Sequence, residues 1–211
     1  MIIINFKNYK SGKEALKLAK LVEKYLPSAI VAVSDYDVFL ISKKTKLTVY
    51  AQHVDYFRKG RATGFAIAEI VKEAGAEGSL LNHSEHRLTE DTIKRTMKRA
   101  HEVGLKIILC AESVAQAKRL KELKPWAMAL EEPSLVASGR SITQHRHREL
   151  EEFVSLLKGS KVKSLCGAGI HSKYDVIAAT QVGCKGVLIS SAIAKVWNAE
   201  KLLREISKIK I

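Results

Sequence analysis

Short apolar runs alternate along this chain with longer segments in which apolar residues recur every three or four positions. A short apolar run bounded by turn residues indicates a buried strand, and the three-to-four spacing indicates an amphipathic helix. On this basis we predict eight strands, at residues 2–6, 29–34, 47–53, 78–82, 106–111, 126–131, 162–167 and 186–190. Most of these runs are apolar on both faces, which is typical of parallel strands covered by helices.

Helix start signals stand between the predicted strands. Ser11 and Ser113 each precede, by three residues, a Glu or Gln that completes the spacing of a capping box. Thr89 is followed by two acidic residues, which favour a helix N-terminus. Apolar stripes predict further helices around residues 150–157 and 202–209. Strands and helices therefore alternate along most of the chain.

Eight strands that alternate with helices predict parallel βαβ units. The chain has only three prolines and no low-complexity stretch, so we expect no linker. An open doubly wound sheet is one arrangement of such strands, but no GxGxxG motif follows the first strand. We therefore predict an α/β fold, a closed (β/α)8 barrel, formed as a single domain by residues 1–211. The weakest of its helical patterns lies at residues 38–42.

The chain carries a formal net charge of +14, with 36 Lys and Arg against 22 Asp and Glu. Nucleic acid is the first partner that such a charge suggests. The basic residues are instead spread with acids over the helical segments, and few aromatic residues lie among them. We therefore predict a solvated basic surface and no nucleic-acid partner, with a positive field that attracts an anionic substrate.

The composition of the chain and the length of its apolar runs indicate where in the cell the protein is expected. Hydrophobic residues make up 46% of the chain, as expected of a soluble globular protein, and no run approaches the roughly 18 apolar residues of a membrane span. The N-terminal segment lacks the features of a signal peptide, so we expect a cytoplasmic protein without a membrane partner. Cys110, Cys166 and Cys184 lie far apart in apolar segments, and we expect reduced, buried thiols.

Polar residues follow the predicted strands at the ends where the catalytic groups of such barrels lie. The stretch NHSEHR at residues 82–87 ends a buried strand with two histidines and an acid, which a simple turn does not need. Other strands end in Lys7, in Glu131 and in small-residue turns near residues 167–169 and 190–191. An acid can remove a proton, a neutral imidazole can polarise a carbonyl, and small residues let backbone N–H groups reach a phosphate.

Five motifs resemble, in order and with fitting spacing, those of the triosephosphate isomerase family. They are NFK at residues 5–7, NHSEHR at 82–87, LEEPSLVASG at 130–139, CGAGI at 166–170 and GVLISS at 186–191. The short chain, CGAGI and AQHVD at residues 51–55 resemble the archaeal branch of that family. The resemblance covers essentially the whole chain. It implies a TIM barrel that interconverts dihydroxyacetone phosphate and D-glyceraldehyde 3-phosphate through an enediol(ate), without a cofactor.

The resemblance also implies a role for each matching residue. Glu131 is the expected base, and His83 is the expected electrophile, kept neutral by a nearby helix N-terminus. Lys7 is expected to counter the phosphate and the developing oxyanion, Asn5 to hydrogen-bond the substrate, and Glu85 to pair with Lys7 and orient it. Backbone N–H groups are expected to hold the phosphate at or near Val136, Ala137, Gly169, Ser190 and Ser191.

One departure from the family pattern bears on the base. The family has proline directly after its catalytic glutamate. Here Glu131 is followed by Glu132, and Pro133 comes next, so adjacency to proline selects Glu132 as the base. Counting back from Gly139, which matches the last glycine of the lid motif, selects Glu131. We adopt Glu131, because the spacing also keeps Pro133 and Leu135 on archaeal-type positions.

The expected lid, residues 132–139, contains a second departure. Ala137 and Ser138 stand where the family usually has Gly and Thr, and alanine tolerates a positive φ poorly. The resemblance further implies a homo-oligomer, a tetramer or a dimer, in which the loop of residues 53–65 reaches a neighbouring subunit.

Two histidine pairs raise the question of a metal. His83 with His86, and His145 with His147, both lack a convincing third ligand, so we predict no metal site. Two other functions stay open from the sequence: another sugar-phosphate isomerase on a phosphate-binding barrel, and a catalytically idle barrel that binds nucleic acid through its basic surface. An isomerase assay beside a salt-dependent gel shift separates them.

Overall fold

Eight parallel strands close into a barrel in the computed structural model, which describes residues 1–131 and 147–209. The strands follow one another around the barrel in chain order, and the last pairs with the first. They are β1 (Ile2–Asn5), β2 (Ile30–Val33), β3 (Thr48–Ala51), β4 (Gly78–Leu81), β5 (Lys106–Ala111), β6 (Ala127–Leu130), β7 (Lys163–Cys166) and β8 (Gly186–Ile189). The predicted closed (β/α)8 barrel is confirmed, and the observed strand ends lie within two residues of the predicted ones. The extent of the domain over all of residues 1–211 stays a prediction.

Helices alternate with the strands and cover the barrel. Within the described residues they are α1 (Gly12–Tyr25), α2 (Asp35–Lys44), α3 (Ala68–Glu73), α4 (Glu90–Val103), α5 (Val114–Leu120), α6 (His147–Leu157), α7 (Lys173–Val182), α8 (Ser191–Ala194) and α9 (Glu200–Ile206), with a 3-10 turn at Lys121–Leu123. Helix α2 confirms that the weak apolar pattern at residues 38–42 is helical.

Side chains alternate across each strand, so the strands bury two apolar layers. One layer includes Ile3, Tyr50, Leu80, Ile108 and Leu188, which come from alternate strand positions and fill the inside of the barrel. The other layer packs between the strands and the helices. Burial on both faces explains why the strands read as nearly continuous apolar runs.

The predicted helix caps have mixed outcomes. Ser11 makes no side-chain cap bond; the N–H of Gly12 is bound instead by the Asp37 carboxylate, at 2.9 Å. The cap predicted at Thr89 is confirmed, because its side chain accepts a hydrogen bond from the N–H of Thr92. At α5, Ser113 caps the N–H of Gln116, but the Gln116 side chain accepts from Glu112 rather than from Ser113, so that box is incomplete. A complete capping box starts α7.

The thiols of Cys110, Cys166 and Cys184 are free and buried, as predicted. In the part of the chain that the structure describes, no helix is long and apolar enough to span a bilayer.

Candidate active site

Residues from several strand ends meet in one pocket at the carboxyl-terminal mouth of the barrel. Asn5 ends β1, Lys7 follows it, His83 follows β4, and Glu131 directly follows β6. The turns after β7 and β8 complete the lining with Gly169, Ser190 and Ser191. Glu85 lines an adjoining cavity together with Lys7 and His83. The barrel therefore brings together all the predicted site residues that the structure describes; Val136, Ala137 and the lid at residues 132–139 lie outside that part.

Lys7 has a left-handed backbone conformation, with a φ of +46°, held from both sides. Its N–H donates to the side-chain oxygen of Asn5 at 2.9 Å, and its carbonyl accepts from the Gln52 amide at 3.0 Å. The side chain is largely buried, and its Nζ lies 2.7 Å from Oε1 of Glu85. The expected pairing of Glu85 with Lys7 is thus present, and it holds the ammonium group at the mouth of the pocket.

The turn after β4 depends on Asn82, which has a φ of +58° and is fully enclosed. Its amide nitrogen donates to the carbonyl of Cys110, and its side-chain oxygen accepts from the N–H of Leu88, both at 2.9 Å. Arg87 donates to the Asn82 carbonyl at 2.7 Å. These bonds turn the chain sharply, so the next residue, His83, is directed into the barrel mouth.

His83 and Glu131 contact each other directly. Nε2 of His83 lies 3.2 Å from Oε1 of Glu131. Nδ1 of the same ring accepts a hydrogen bond from the N–H of Glu85, so the proton of the neutral imidazole is on Nε2 and is donated toward Glu131. The second carboxylate oxygen of Glu131 accepts from the N–H of Ser84 at 2.8 Å.

Burial moves the pKa values of the two groups in opposite directions. Desolvation, followed by the charge of Lys7, lowers the pKa of His83 to about 4. Desolvation also raises the pKa of Glu131 to about 7, against the opposing effects of the Ser84 N–H, Arg87 and Lys7 among others. Burial is the largest cause of both shifts, because either charged form loses its hydration in the pocket. The expected contribution of a helix N-terminus to the neutral imidazole stays a prediction.

Of two close neighbours of Glu131, Cys110 was not predicted as part of the site, and Gly167 was predicted only as part of the turn at residues 167–169. The buried thiol of Cys110 lies near the Glu131 carboxyl group: burial, followed by the charge of Glu131, raises the pKa of this thiol. Gly167 leaves no room for a side chain, because a Cβ there would lie 2.8 Å from Cγ of Glu131. Cys110 lies near the end of β5, opposite β6, so its position near a strand end was the available signal.

Histidines also lie beside the pocket. The rings of His53 and His86 are 4.4 Å apart, and His53 Nε2 lies 3.2 Å from the Asp55 carboxylate. No group of three or more His, Cys, Asp or Glu side chains suited to a metal ion occurs within residues 1–131 and 147–209.

Comparisons with known proteins found relatives of this chain in sequence and in structure. A family model described as triosephosphate isomerase matches residues 1–206. The triosephosphate isomerase of Methanocaldococcus jannaschii is 33% identical over 99% of both chains. That of Archaeoglobus fulgidus is 36% identical over 98% of this chain and 96% of its own. The fold also matches a crystal structure of triosephosphate isomerase from Bartonella henselae, with a TM-score of 0.70 at 18% identity, over 92% of this chain and 94% of that chain.

Proposed function

We propose, on the premise that this chain belongs to the triosephosphate isomerase family, that Glu131 is the base with which it interconverts dihydroxyacetone phosphate and D-glyceraldehyde 3-phosphate. The family makes the chain an isomerase of a triose phosphate in glycolysis. The assignment of roles rests chiefly on the 3.2 Å contact between Glu131 and His83. It pairs a carboxylate whose pKa is about 7 with a neutral imidazole that donates from Nε2.

The proposed reaction is a proton transfer between adjacent carbons. The Glu131 carboxylate removes a proton from C1 of dihydroxyacetone phosphate, and the C–H electrons form an enediolate while Nε2–H of His83 hydrogen-bonds the carbonyl oxygen. A proton moves from O1 to O2, and Glu131 returns its proton to C2, which regenerates the carboxylate and requires no cofactor. Each Glu131 oxygen has one contact, with His83 or with the Ser84 N–H, and keeps a second lone pair that can accept the substrate proton.

Charge and hydrogen bonding at the mouth support the remaining roles. The ammonium group of Lys7, oriented by Glu85, faces the pocket and counters the substrate phosphate and the enediolate oxygen. Asn5 hydrogen-bonds both the Lys7 backbone and, in the proposal, the substrate. The phosphate is held by backbone N–H groups at or near Gly169, Ser190 and Ser191, and by Val136 and Ala137 of the lid.

A coupled assay in both directions tests this function. We expect turnover of glyceraldehyde 3-phosphate and dihydroxyacetone phosphate, with turnover of an aldopentose phosphate such as ribose 5-phosphate lower by orders of magnitude. Preference for the pentose phosphate would select the other sugar-phosphate isomerase function. No turnover of any sugar phosphate by a folded protein would reject the proposal.

The loop of residues 53–65 supports the proposal of a homo-oligomer, either a tetramer or a dimer. Its rings contact one another, with centroids 4.3 Å apart for Tyr56 and Phe57 and 4.0 Å apart for Phe57 and Phe65. Phe65 is nonetheless 46% exposed, and an exposed apolar group in a loop suits a subunit contact. Light scattering tests this: we expect Phe65→Glu to lower the mass in solution, and a monomeric parent protein would contradict it.

We also propose that residues 1–211 form a single domain and that the protein is located in the cytoplasm. The reduced, buried state of its three cysteines and its glycolytic family support that location. Immunodetection in cell fractions tests it, and recovery in the membrane fraction would contradict it.

A further inference from the structure

Two polar atoms in the substrate pocket have no hydrogen-bond partner among the described residues. They are Nε2 of His171 and Oγ of Ser190, and both are shielded from solvent. Both side chains line the pocket that contains Glu131 and His83. Enclosed polar atoms without partners are destabilising and uncommon in native proteins. Two of them on side chains that line one pocket indicate a ligand that completes them once the side chains turn toward it.

The backbone of the turn after β7 limits what that turn can offer a ligand. The N–H groups of His171 and Ser172 both donate to Oδ2 of Asp175, at 3.1 and 2.9 Å, where they form part of the cap of α7. They are therefore not free to bind an anion. Besides the backbone N–H groups nearer Gly169, the turn presents the imidazole of His171 to the pocket.

We propose that Nε2–H of His171 and Oγ–H of Ser190 donate hydrogen bonds directly to the phosphate group of the substrate. This inference rests on the proposed function, and it adds two side-chain donors to the backbone N–H groups assigned above. A phosphate oxygen accepts from both a hydroxyl and an imidazole N–H, and such bonds to a charged group are stronger than neutral ones. The two donors then act on the group that distinguishes a triose phosphate from a triose.

Selectivity for the phosphate group tests the inference. We expect His171→Ala to lower kcat/KM for glyceraldehyde 3-phosphate at least tenfold more than for glyceraldehyde, and to weaken competitive inhibition by inorganic phosphate about tenfold, the scale of one hydrogen bond to a charged group. His171→Gln, whose amide provides an N–H near the position of Nε2, recovers most of this loss. Ser190→Ala, which keeps the backbone N–H, shows the same selectivity with a smaller change.

Controls separate this inference from the function on which it rests. His101 is exposed on α4, far along the chain from the pocket residues, and His101→Ala leaves both kcat/KM values and the phosphate inhibition constant as in the parent. If the parent isomerises triose phosphates but His171→Ala keeps its inhibition by inorganic phosphate, the inference fails and the function stands. Equal losses on both substrates also overturn the inference, because they indicate a structural role. An inactive parent refutes the function itself.

Discussion

Nε2 of His83 lies 3.2 Å from Oε1 of Glu131, although the two residues follow different strands, β4 and β6. The contact joins the base of the proposed mechanism to the group that hydrogen-bonds the substrate carbonyl. The residues around this contact shield both side chains from water. This burial lowers the pKa of the His83 imidazole and raises the pKa of the Glu131 carboxyl group. One enclosed pocket thereby provides a neutral donor and a base suited to neutral pH.

Replacement of Lys7 removes the cation at the pocket mouth. We expect Lys7→Met to keep the fold and to lose nearly all turnover, because no other side chain that follows β1 in the pocket carries a positive charge. Circular dichroism and the coupled assay measure the two effects. Lys13→Met, on the exposed face of α1, is the matched control and keeps its activity. A folded Lys7→Met variant with nearly normal kcat/KM would refute the role of Lys7.

Replacement of His83 tests the electrophile. The glutamine side chain of His83→Gln still has an N–H that can donate, but it lacks the geometry of the imidazole. We therefore expect kcat to fall by roughly two orders of magnitude or more. Affinity for inorganic phosphate, measured by competitive inhibition, is retained. If phosphate binding is lost while kcat holds, His83 anchors the substrate and does not polarise it.

The pH dependence of kcat/KM reports the base. Glu131 must be ionised to accept a proton, and its raised pKa places the acidic limb at about pH 7, below which activity falls as pH decreases. His83, with a pKa of about 4, stays neutral throughout that range. A phosphomonoester also loses a proton near pH 6, so the profile is repeated with glyceraldehyde, which has no phosphate. An acidic limb near pH 4.5 with glyceraldehyde would contradict the raised pKa.

Gly167 provides space for the base. A Cβ at this position would lie 2.7 Å from the carbonyl oxygen of Leu130 and 2.8 Å from Cγ of Glu131. We expect Gly167→Ala to displace the carboxylate and to reduce kcat by about one to two orders of magnitude, because a shift near 1 Å can cost that much. Thermal unfolding, followed in parallel, distinguishes misplacement from loss of the fold. A parental kcat would show that the neighbouring backbone moves instead.

The strands and most of the site could be predicted because they depend on local patterns. Parallel strands buried on both faces give apolar runs that end sharply, and the polar residues at those ends fall at the barrel mouth. Lys7, His83 and Glu131 could therefore be placed at the barrel mouth from the sequence. The choice of Glu131 over Glu132 as the base rested on the family resemblance and stays a prediction.

Other features depend on residues that are distant in sequence. Ser11 has the spacing of a cap, but the start of α1 is bound by Asp37, which no local pattern reveals. The contact of Cys110 with Glu131 arises only when β5 and β6 pair. The partnerless atoms of His171 and Ser190, and the raised pKa of Glu131, are consequences of tertiary burial, which the sequence does not display.

The identity of the base is the central claim, and kcat for glyceraldehyde 3-phosphate in two adjacent variants tests it most directly. Glu131→Asp shortens the base by one methylene, so we expect a loss of roughly two orders of magnitude. Glu132→Pro restores the residue that the family has after its glutamate, and it keeps or raises activity. The account is contradicted if Glu132→Pro is inactive while Glu131→Asp, or even Glu131→Ala, turns over at the parental rate.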